Sequence, residues 1–139
     1  MLANGAKLEY KKPGAEGVGE YVELLGLKEI PDMGVDPEKV ENTDLAAKNK
    51  QYEYGIGDAG DMTYKFKYDN TSPDSPYRVM REKEANGEVV SFRETLADGS
   101  VTEYDAQVSV KRTGGGVNGV IDFNLTMAVQ SDFKYTDPA

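Results

Sequence analysis

The sharpest pattern in the chain is a strict alternation near its C-terminal end, VIDFNLTMAVQSDF at residues 120–133. Ile121, Phe123, Leu125, Met127 and Val129 fall on one face, and Asp122, Asn124, Thr126, Ala128 and Gln130 on the other. Period two predicts a strand buried on one side. A ten-residue strand spans roughly 33 Å, long for a small domain and suited to the wall of a barrel or sandwich. Upstream, VVSFRETL places Val90, Phe92 and Leu96 on one side, and Asp98-Gly99 signals a two-residue hairpin. SVTEYDAQVSVKR then returns as a strand on which Ala106, Val108 and Val110 alternate. DMTYKFKYD does the same with Met62, Tyr64, Phe66 and Tyr68.

One segment breaks the period. In NTSPDSPYRVMREKEANGE, Ser72 or Ser75 suits an N-cap, with Pro73 or Pro76 opening a helix. Tyr77 and Met80 share a face, and Asn86-Gly87 ends the helix. A hairpin turn at Asn86-Gly87 is the rival, but REKEA has no β character. Toward the N-terminus, KLEYKK and EYVELL read as short strands around a flexible loop, PGAEGVG. Residues 31–60 are the least regular part. Pro31, Gly34 and Asp36-Pro37 mark turns, and VENTDL at residues 40–45 has strand character. Tyr52, Tyr54 and Ile56 alternate there, either along a minor strand or on a surface used in association between subunits. The order predicts one mainly β domain over residues 1–139: an antiparallel sandwich or barrel-like fold with one short helix. An N-terminal arm (about 1–30) and a long loop (about 31–60) precede a core at 61–133.

Composition narrows the chemistry. The 139 residues contain no cysteine and no histidine. Disulfides, thiolate sites and histidine-based nucleophile systems are therefore excluded. No metal, cofactor or catalytic site is expected. No apolar run approaches a membrane span, and no signal peptide is expected at the N-terminus. A net charge of −9 opposes binding to nucleic acid through phosphate neutralisation. It does not oppose a surface that DNA passes without sticking. GIGDAG at residues 55–60 formally matches the dinucleotide-binding G-x-G-x-x-G. That motif needs a helix opening at its end. A strand follows here instead, and Asp58 and Asp61 crowd the phosphate position.

The order of elements and several phrases resemble the tail tube (major tail) proteins of long-tailed, non-contractile bacteriophages. The phrases are IPDMGVDPEKVENTDL, YEYGIGDAGDMTYKFKYD, YRVMREKEANG, FRETLADGSVTEYDAQVSV and VNGVIDFNLTMAVQSD. The resemblance covers nearly the whole chain. It implies a structural subunit with no catalytic residues, which closes into hexameric rings that stack into a hollow tube. Double-stranded DNA passes through without specific binding. It implies partners in tail initiator or baseplate and terminator proteins, none in a membrane, and a location in the virion tail after assembly in the host cytoplasm. The long loop and the arm are expected to bridge neighbours. The polar face of the last strand, with Asp122, Asn124 and Gln130, is the candidate lumen lining, where an acidic wall lets DNA slide. Other readings are the tube protein of a related injection machine and a β-sandwich ligand-binding module using some of the nine tyrosines. A hydrolase built on Asp58 and Asp61 ranks last, because nothing marks a pocket.

Overall fold

The computed structural model describes residues 1–12, 19–41, 52–58 and 60–138; for Glu38, Val40 and residues 52–58 it describes the backbone alone. Among the described residues, ten strands and one helix follow in chain order. They are β1 (Lys7–Lys12), β2 (Glu20–Glu23), β3 (Leu27–Glu29), β4 (Asp36–Glu41), β5 (Tyr52–Asp58), β6 (Asp61–Lys67), α1 (Pro76–Asn86), β7 (Val89–Thr95), β8 (Val101–Arg112), β9 (Asp122–Val129) and β10 (Lys134–Thr136). Eight strands form one sheet in the order β2-β1-β7-β8-β9-β6-β3, with β10 paired to β8 beside β9. Every pairing in it is antiparallel.

The sheet curls round its own apolar face. Alternation puts Met62, Tyr64 and Phe66 of β6, Phe92 of β7, and Phe123, Leu125 and Met127 of β9 inside, all at 1% exposure or less. On a flat sheet β6 and β7, with two strands between them, would lie roughly 14 Å apart. Yet the Tyr64 hydroxyl reaches the Glu94 carboxylate across the interior. This is the barrel-like form of the expected fold. The helix closes the open side: Met80 is fully buried, and the Tyr77 ring meets Phe123 edge-on at 5.4 Å. Phe123 also stacks on Phe66 at 5.3 Å. The helix starts at Ser75-Pro76 and stops at Gly87, whose φ of 63° is a left-handed geometry that glycine adopts without a Cβ clash.

Three expectations shift. The turn after β7 is a three-residue loop, closed by the Leu96 N–H donating to Ser100 O at 2.9 Å, not the two-residue turn that Asp98-Gly99 suggests. Ile121 leaves the apolar face: it lies outside β9 and is 45% exposed. Residues 31–60, expected to be irregular, contain a two-stranded antiparallel sheet of β4 and β5. Pro37 lacks a backbone donor and the register slips between Pro37 and Lys39, while Gly55 and Gly57 erase the alternation. The strand expected at 40–45 is β4, shifted upstream; residues 42–45, like the loop at 13–18, lie outside the described residues.

Candidate functional site

The outer face of β8, β9 and β6 is largely polar, with Ala128 among its apolar exceptions. Register sets Thr63, Thr126 and Ser109 side by side, and Lys65, Asn124 and Lys111 in the next row. Thr63 and Thr126 join through their hydroxyls at 3.1 Å. Asn124 therefore sits half-buried between two lysines. Gln130 lies just past the end of β9 and is exposed; its N–H donates to Asp105 O at 2.7 Å.

Asp122 behaves differently from the free surface acid its alternation implies. It is only 5% exposed. Lys28 Nζ donates to both of its carboxylate oxygens at 3.0 and 3.2 Å, and Lys65 Nζ lies 3.9 Å away. The cause is β3, which covers this end of β6 and brings Lys28 over the strand end. The strip as a whole carries exposed Lys67 and Lys111 and half-buried Lys65 against exposed Asp61, the ion-paired Asp122 and, toward the start of β8, half-buried Glu103 and Asp105. Acids and lysines are therefore interspersed on this face rather than segregated by sign.

Two edges of the sheet are open among the described residues. One is the outer edge of β2, which pairs only with β1. The other is the β6–β3 end, where β3 pairs only with β6 and covers only Lys65 and Phe66, which leaves residues 61–64 of β6 uncovered. Tyr52, Tyr54 and Ile56 fall on β5. Tyr52 pairs with Glu41 and Tyr54 with Lys39, while their side chains lie outside the described residues. The Asp58 side chain lies outside the described residues, and Asp61 is exposed on the outer face. Strand β6, not a helix, follows GIGDAG.

The core holds a polar group that alternation already contained. Glu94 occupies the inward parity of β7 beside Val90 and Phe92. It accepts from the Tyr64 hydroxyl, which in turn accepts from Tyr104 at 2.9 Å. Burial pushes the Glu94 carboxyl above its usual range, with the Tyr64 bond opposing that, and burial raises both tyrosines. This network ties β6, β7 and β8 together across the interior. On the outer face, Arg93 holds Glu9 through two bonds at 3.0 and 3.2 Å and lies 4.2 Å from the centre of the Tyr21 ring.

The arrangement is therefore one curled sheet with an apolar interior, a largely polar outer face and open edges. The family described as "Phage tail tube protein, TTP" matches residues 13–137. The chain belongs to the phage tail tube protein family. A tail tube protein is a structural component of a phage tail, not an enzyme. Solved structures share the fold of this tail tube protein. A chain from the tail of an empty gene transfer agent particle, refined helically with C6 symmetry, is 18% identical with a TM-score of 0.75, covering 99% of both chains. A chain from the sheath/tube terminator structure of an extracellular contractile injection system is 8% identical with a TM-score of 0.73, covering 99% of this chain and 96% of its own. A chain from the baseplate of the anti-feeding prophage is 10% identical with a TM-score of 0.71, covering 98% and 95%. No curated protein matches the sequence.

Proposed function

We propose that six copies of this tail tube protein close side by side into a ring, and that rings stack into the hollow tube of a long, non-contractile tail. Double-stranded DNA passes through that tube without specific binding. One observation carries the reading: a single sheet is apolar on one face, polar on the other, and ends in two open edges. An open edge invites pairing, and closing edges between neighbours into a continuous barrel removes it. The polar face then lines the channel with Asn124 and Gln130. Asp122 serves there as the anchor of Lys28 rather than as a free charge. The lysines of the strip are offset by Asp61, Asp122, Glu103 and Asp105, which limits the grip on phosphates. The C6 symmetry of the gene transfer agent tail supports the six-fold ring.

The β4–β5 ribbon, with Tyr52, Tyr54 and Ile56, is assigned to bridging neighbouring subunits, because it stands apart from the main sheet. Initiator or baseplate and terminator proteins are the other partners. The fold likeness to chains from a baseplate and a terminator structure supports them. Assembly in the host cytoplasm precedes incorporation into the virion. A second reading, the tube of a phage-like injection particle, is favoured by the likeness to a contractile injection system.

Hydrogen exchange tests the edge pairing. Comparing the assembled with the monomeric protein, amides at residues 20–23 and 61–64 gain protection, while the centres of β8 and β9 change little. Unchanged exchange at both edges in proven rings contradicts closure through these strands.

A further inference from the structure

Strand β8 is the longest in the molecule, and its two ends differ in charge. Asp98, Glu103 and Asp105 lie at its start, and Lys111 and Arg112 at its finish. The start is joined by the C-terminal segment: β10 pairs there, and Pro138 lies against Gly99. That segment adds exposed Asp132 and Asp137, together with Lys134 and an exposed Tyr135 at 60%. The finish leads into a turn at residues 116–119, closed by the Gly119 N–H donating to Gly116 O at 2.9 Å. This turn has a defined geometry. Asn118 takes a φ of 62°, and a Cβ on Gly119 would meet the backbone N of Gly116 at 2.8 Å. The backbone there cannot yield, so glycine is required. The turn holds Val117 at 97% exposure, followed by Val120 at 65% and Ile121 at 45%. Three large apolar side chains within five residues, raised beyond the end of a polar hairpin, form a patch rather than scattered surface.

We propose that this apolar turn is the contact between successive rings, seated in the next copy along the tube on the opposite end of the sheet, around Tyr135, Asp98 and Asp137. The inference rests on the ring reading above. In that reading the lateral edges serve the neighbours within a ring and the polar face serves the channel, which leaves the two ends of the sheet for stacking. A head-to-tail contact sets Lys111 and Arg112 against the acids at the start of β8, and the apolar turn against the Tyr135 ring. Such a heterologous contact does not close on itself and so propagates as a filament.

The experiment compares wild type with Val117→Asp and Val117→Leu by electron microscopy and sedimentation. Desolvating a carboxylate at the contact lowers the fraction of protein in tubes by about tenfold or more. Rings persist in that variant, and Val117→Leu assembles as wild type. Tubes of wild-type abundance in Val117→Asp overturn the proposal, as does loss of its rings, which would place Val117 in the lateral contact. A wild type that forms no rings overturns both this inference and the ring reading. The absence of native cysteine permits a second readout in the doubly substituted chain Val117→Cys with Tyr135→Cys, two exposed positions. Oxidation of its tubes gives a ladder of linked chains that continues past six, because the links run from ring to ring. A ladder ending at six, or no ladder in intact tubes, overturns the proposal.

Discussion

Replacing Phe123 with alanine lowers the unfolding free energy by about 3–5 kcal/mol. Domains of this kind carry about 5–15 kcal/mol in total, so the variant loses a large share of its stability. Phe123 is fully buried, stacks on Phe66 of the neighbouring strand and takes the edge of Tyr77 from the helix. It thus joins β9, β6 and α1 at one point, and truncation opens a cavity that three elements must collapse to fill. Thr126 is the control on the same strand. It lies on the outer face and makes one exposed hydroxyl contact with Thr63. Thr126→Ala costs about 0.5 kcal/mol. Urea unfolding of the two variants beside wild type measures both. Equal midpoints for Phe123→Ala and Thr126→Ala would mean that the face assignment of β9 is wrong.

Glu94 gives the second large effect and a pH signature. Glu94→Ala strands the Tyr64 hydroxyl in the core and leaves a gap, at a cost of about 2–3 kcal/mol at pH 5. Glu94→Gln keeps an acceptor for Tyr64 but does not titrate. The folded-state pKa of Glu94 is raised above its unfolded value. Between those two values the folded chain binds more protons than the unfolded one, so stability falls as pH rises. The contribution of Glu94 is fully present below the ordinary glutamate range and is lost as pH climbs through the raised folded value. Glu94→Gln therefore gains on wild type across that window, and the two stability curves run parallel outside it. Chemical unfolding at half-unit steps from pH 4 to pH 8 reads the difference. Parallel curves across the whole range would show that Glu94 ionises as freely in the folded chain as in the unfolded one.

The elements legible in the sequence are those in which one physical rule acts alone. Strands β6, β8 and β9 alternate cleanly because one face is core and the other polar. The helix declares itself through Ser75-Pro76 and Gly87. Strands β4 and β5 were legible only in part, as strand character at residues 40–45 and the alternation of Tyr52, Tyr54 and Ile56, because Pro37, Gly55 and Gly57 interrupt the period and blur the bounds and the pairing. The surroundings of Asp122 were illegible for a different reason. Parity correctly puts it on the outer face, but parity cannot show that β3 passes over that end and delivers Lys28. Glu94 was legible by parity and overlooked because a carboxylate on an apolar face needs a partner, and Tyr64 arrives from a strand three places away in the sheet. The charge pattern of the outer face of β8, β9 and β6 was illegible in the net charge, since a sum over the chain carries no position.

The ring itself is best tested by negative-stain electron microscopy of the purified protein across a concentration series. The account predicts annular particles with six-fold symmetry and a stained central hole, giving way to hollow tubes as concentration rises. Monomers that persist at every concentration, even after seeding with preformed tail initiator complexes, would contradict it.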